Sequence, residues 1–186
     1  MKALSPSRLL TLALTLVLCS CPETTIPTDF GIAPFKLNKS DWNGTWAAAG
    51  KPATEGVVFT VSDGVNGQLT AQGTSKDDKP LLIIVRTAGA LEDKLCFLTY
   101  MAAATDPRGP LRLITKPKDG VFVLWDANHG EIEKAVKAGE LKGRQVKGDK
   151  DDHKHTELDA DGSNYTKLLE PRFWNWSEPE TFVRVK

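Results

Sequence analysis

Of 186 residues only three are cysteine and three histidine, and acidic and basic side chains balance at 24 each. Each scarcity excludes something. Cys19 and Cys21 lie in the first 21 residues, so Cys96 stands alone in the remainder and no disulfide framework can form there. A formal charge of zero makes no electrostatic case for nucleic-acid binding, which would want a basic face. The apolar run Leu9 to Leu18, with Thr11 and Thr15 inside it, is ten residues long. A membrane-spanning helix needs about 20. No internal repeat is seen, which argues against a solenoid. There is no Gly-rich phosphate loop, no Ser nucleophile motif and no His-Asp arrangement. The expectation is a chain that is not an enzyme and carries no cofactor.

What is present begins with a leader. Lys2 and Arg8 supply a positive start, Leu9 to Leu18 the apolar middle, and Cys19 and Ser20 the region before Cys21. These are the three parts of a secretory signal. Leu18-Cys19-Ser20-Cys21 resembles the bacterial lipobox. The resemblance implies cleavage between Ser20 and Cys21 and a lipid on Cys21; Cys19, preceded by Val17 and Leu18, fits less well. Each buried lipid methylene contributes about 0.8 kcal/mol, and more than one chain gives stable attachment. Pro22 stands where Asp would mark retention in the inner membrane, so in a Gram-negative host the resemblance further implies the outer membrane, facing the periplasm. Taking Lys2 and Arg8 from the 24 basic residues leaves 22 against 24 acidic, a formal charge of −2 for residues 21–186.

After the anchor, Pro22 to Lys39 lacks strand or helix periodicity and reads as an extended, solvated tether. The chain thus divides into a signal peptide at 1–20, a lipidated tether at 21–39 and one β-barrel-like domain at 40–186. Short β-branched and aromatic runs follow: Gly56 to Ser62, Gln68 to Gln72, Leu81 to Arg86, Lys94 to Met101, Leu111 to Thr115 and Val121 to Trp125. Asp63-Gly64, Asn66-Gly67 and Lys118-Asp119-Gly120 punctuate them as turns, while Ala102 to Pro110 reads as a loop. Regular turn signals between short strands predict a mainly β fold, an antiparallel meander that is lipocalin-like or a small closed barrel. Two short helices interrupt it near the C-terminal half. The first starts at Asn128, with Glu131 three residues on, and ends at Gly139; the second starts at Asp159 or Asp161 and stops at Pro171. Lys154 to Leu158 and Thr181 to Val185 are further strands. A packed interior would be filled by Trp46, Leu82, Ile84, Phe97 and Phe122.

Gly44-Thr45-Trp46 resembles the Gly-x-Trp motif that opens the first lipocalin strand. The resemblance implies that Trp46 plugs one barrel end and that Arg184, on the last strand, covers it; the alternative is an ordinary core tryptophan. Asn43-Gly44-Thr45-Trp46, Val121 to Trp125 with the helix after it, and Gly139-Glu140-Leu141-Lys142-Gly143 together resemble a loose group of small bacterial lipoproteins. That resemblance implies fold and location and no activity.

Other candidate sites are fewer. Phe173, Trp174 and Trp176 read either as an exposed patch for a partner, glycan or membrane interface, or as rings capping a barrel end. His153 and His155 alternate and on a strand would share a face, the weak basis for a metal site; a charged turn is the alternative. His129, at a helix start, is expected to be exposed. Asp149, Asp151 and Asp152 lack the register of a calcium loop. Glu131 and Glu133 do not pair as acid and base. Cys96 sits in Leu95-Cys96-Phe97-Leu98 as a small apolar residue. Three functions fit this reading: a non-enzymatic envelope lipoprotein that binds another protein or envelope component, a lipocalin-like carrier of an apolar small molecule, and a metal-dependent enzyme.

Overall fold

The computed structural model describes residues 23–73, 79–89, 95–101, 107–147 and 154–185. The leader, Ser20 and Cys21, and the charged turn ending at His153 lie outside the described residues. Within them the chain forms β1 (Thr24–Pro27), α1 (Lys39–Trp42), β2 (Gly44–Ala48), β3 (Val57–Asp63), β4 (Gln68–Gly73), β5 (Leu81–Thr87), β6 (Leu95–Met101), β7 (Arg108–Pro110), β8 (Arg112–Thr115), β9 (Val121–Asp126), α2 (His129–Lys137), β10 (Gly143–Lys147), β11 (Lys154–Leu158), α3 (Gly162–Lys167) and β12 (Glu180–Arg184).

Eight strands close an antiparallel barrel in the order β12-β2-β3-β4-β5-β6-β8-β9. The fold is therefore mainly β and closed, as the turn spacing predicts. Alternation builds it. In β3 Phe59 and Val61 are buried and Val58, Thr60 and Ser62 exposed, the period of two expected of a strand with one covered face. Turn chemistry joins the strands. Asp119 and Gly120 both take positive φ, 53° and 74°, between β8 and β9, where a two-residue hairpin turn that follows strand twist needs it.

A second sheet, β10-β11-β1-β7, lies beside the barrel, with β1 parallel to β11. This sheet is not foreseen from the strand spacing. The expected helices are α2 and α3; α1 is an additional single turn before β2. Asn128 caps α2 by accepting from the Glu131 amide at 3.3 Å, and Asp161 caps α3 by accepting from Ser163 at 2.8 Å. Wholly buried Asn164 ties α3 to the second sheet: it accepts from the Lys142 amide and donates to the Lys142 and Asp159 carbonyls.

Two hydrophobic cores result. The barrel interior holds Phe35, Leu37, Trp42, Trp46, Phe59, Val61, Leu69, Ala71, Ile83, Val85, Cys96, Leu98, Ile114 and Phe122. The other core, between the barrel wall and the second sheet with its helices, holds Ile26, Phe30, Phe97, Leu111, Leu113, Ile132, Leu158, Leu168, Phe173 and Trp174 among others. Three expected interior residues are thereby corrected. Phe97 belongs to the second core, because Cys96 and Leu98 take the inward positions of β6. Leu82 and Ile84 alternate with the inward Ile83 and Val85 and so point out of the barrel.

The tether is corrected too. Thr24–Pro27 is a strand paired on both edges, to β11 and β7. Ile26, Phe30, Phe35 and Leu37 are buried. Residues 32–35 lie along the end of β5, where Ile32 donates to Thr87, Thr87 to Ala33 and Phe35 to Val85 at 2.9–3.0 Å. Gly67 makes room for that path, since a Cβ there would meet the Val85 carbonyl at 2.2 Å. Proline and threonine content conceals four large apolar side chains that pair their burial with both cores.

Candidate functional site

The two barrel ends differ in chemistry. At one, Trp46 is fully buried and its indole donates to the Trp42 carbonyl at 2.8 Å. Its neighbours are Phe59 and Phe122, with centroids at 6.4 and 5.0 Å, and Phe122 stacks on Phe182 at 4.9 Å. The Arg184 guanidinium sits 5.0 Å from the Trp46 ring and also donates to the Asp41 carbonyl. Such a cation over an indole contributes about 0.5–2 kcal/mol, the larger value when desolvated. The structure thus brings together the two residues paired by the Gly-x-Trp resemblance, and α1 supplies Trp42 and Asp41 as the rest of the plug.

The opposite end is where β6, β9 and their neighbours carry polar side chains on inward positions. Arg112 follows the parity of Ile114, Asp126 that of Leu124 and Phe122, Tyr100 that of Leu98, and Glu180 that of Phe182. Arg112 is buried at 5% exposure and holds Asp126 through Nε at 2.7 Å. A buried guanidinium without such a partner would cost several kcal/mol. Glu23 adjoins this end. Burial pushes its carboxyl up, offset by Arg112 and then His155. Glu180 is pushed up by burial and by Asp126, and the Tyr100 phenol mainly by burial. One cation therefore stands among three carboxyls, two of which resist losing their protons.

His129, expected to be exposed, is instead part-buried beside this group. Its Nδ1 lies 3.0 Å from Thr24 Oγ1. Burial, with Arg112, lowers its pKa to about 4, against an opposing effect of Asp126. A hydroxyl touching an imidazole is the form of a nucleophile and its base. Thr24, however, is fully buried and no substrate atom could reach it. Its hydroxyl joins β1 to the start of α2.

The other expected residues are dispersed. Phe173 and Trp174 are buried at 0% and 3%, so the exposed three-ring patch is corrected to Trp176 alone, at 39%. The reason is local. A 3-10 turn at Pro171–Phe173 turns Phe173 inward, and the Trp174 indole donates to the Leu168 carbonyl at 2.5 Å. Trp176 packs edge-on against Trp125 at 5.0 Å and donates to the Pro171 carbonyl. His155 lies on β11, 3.3 Å from Glu157, and His153 is outside the described residues. Among the described residues no three His, Cys, Asp or Glu side chains are placed to hold a metal.

Arg112, Asp126, Tyr100, Glu180 and Glu23 escape motif reading because they come from five separate segments. A signal existed: Arg112 and Asp126 sit on the buried parity of strands otherwise filled by Ile114, Phe122 and Leu124. Comparison with protein-family models, curated proteins and solved structures finds no match to this chain. Among the described residues no helix is long and apolar enough to cross a membrane.

Proposed function

We propose that this chain is a lipid-anchored protein of the bacterial cell envelope, in the outer membrane facing the periplasm, whose barrel domain has a non-enzymatic binding or structural role. The observation that carries the reading is the leader, with Leu18-Cys19-Ser20-Cys21 at its end. The charged end of the barrel supports a binding role, since polar side chains converge there on a rigid closed frame. Anchoring requires the lipid on Cys21. Cys21→Ser should leave the protein in the soluble envelope fraction, measured by fractionation; a processed variant that stays in the membrane pellet overturns the anchor.

An apolar carrier is the second reading, favoured by the eight-stranded closure and the Trp46–Arg184 plug. A carrier needs a continuous cavity. An eight-stranded barrel is just wide enough for its own side chains, and around Phe122 the rings of Trp42, Trp46, Phe59 and Phe182 stand at 4.9–6.0 Å. That half of the lumen is occupied, which weighs against the carrier. A metal-dependent enzyme has the least support, because His155 is engaged with Glu157 rather than with further metal-binding groups.

A further inference from the structure

Resting on the lipid anchor just proposed, we infer that the Arg112 end of the barrel is the face turned toward the bilayer, its partner being the headgroup layer of the membrane that carries the lipid. The argument is one of reach. The Glu23 carbonyl accepts from Thr156 and the Thr24 carbonyl from Leu111, both at 2.9 Å, while Thr24 Oγ1 meets His129. The chain is therefore fixed from Glu23 onward, to β11 of the second sheet, to Leu111 just before barrel strand β8 and to the start of α2. Only two peptide units separate Glu23 from Cys21, a span of at most about 7 Å. A free tether over residues 21–39 would instead have an end-to-end distance of about 23 Å and impose no orientation.

The position of Glu23 then selects the end. Arg112 begins β8, next to Leu111, which Thr24 holds. The same barrel end contains the finish of β9 at Asp126, the start of β12 at Glu180 and the β2–β3 connection with Lys51. The opposite end, with Val65, Val121 and the Trp46–Arg184 plug, lies one strand length away, about 20 Å for six residues. The near end also offers the exposed indole of Trp176, beside Asn175, whose amide donates to the Asp126 carbonyl. An amphipathic indole suits headgroup depth.

The test uses the full lipid-bearing protein in vesicles of phosphatidylethanolamine and phosphatidylglycerol. Single cysteines are introduced as Lys51→Cys and Trp176→Cys at the near end and Val65→Cys and Val121→Cys at the far end. Each takes a fluorophore; native Cys96, 1% exposed, stays unlabelled. Headgroup-nitroxide lipids should quench both near-end labels several-fold more than both far-end labels. Equal or reversed quenching on protein that floats with the vesicles overturns the orientation and leaves the anchor standing. Failure to float removes the anchor and the orientation with it. Two labels at each end keep the comparison decisive if one variant does not fold.

Discussion

His129 has lost the titration that makes histidine useful near neutral pH. Folded, it takes a proton near about 4; unfolded, near 6.5. Between those values the unfolded chain binds more protons, so this residue's contribution to stability is present above pH 6.5 and is lost as pH falls toward about 4. Arg112 and Asp126 face it, and Thr24 contacts it. Urea unfolding followed across that range should show a steeper loss for the native protein than for His129→Gln. Parallel curves would mean that the imidazole is solvated rather than buried. The same neighbourhood shows why the charged barrel end is hard to see in sequence. Arg112 lies between Leu111 and Leu113, and nothing near it in the chain indicates that its partner is 14 positions away at Asp126.

Elements with local causes were legible. Asn128 and Glu131 announce α2, and Asn128 does accept from the Glu131 amide. Asn128→Ala should cost about 1 kcal/mol, read as a lower urea midpoint with an unchanged slope, because one amide at the helix start loses its partner. The two ion pairs along α2, Glu131–Lys134 and Glu133–Lys137, are exposed and contribute little beside the cap. The Asp119-Gly120 turn and the β3–β4 hairpin follow from turn residues and alternation in the same way. β1 and β7 were not legible. They are four and three residues long, and each owes its existence to a partner far away: Thr25 aligns with Pro110 and with Glu157. Arg108 fastens them, donating to the Thr25 and Leu158 carbonyls at 3.2 and 2.6 Å.

For the molecule as a whole, the decisive question is whether residues 23–37 are leash or fold. Phe30 is 1% exposed and meets Phe97 at 5.3 Å and Tyr165 at 5.0 Å, both edge-on. Phe30→Ala should therefore cost about 3–5 kcal/mol in equilibrium unfolding, as a core ring does. A change near zero would restore the tether. The mainly β character, the hairpin turns and the helix caps could be read directly because each depends on residues within a few positions of one another. The partition into two cores, the capture of the N-terminal segment and the gathering of Glu23, Tyr100, Arg112, Asp126 and Glu180 depend on closure. A strand's periodicity shows that it has two faces. Only the closed barrel decides which face is lumen and which is covered by the second sheet, and that choice placed Phe97 outside and Arg112 within.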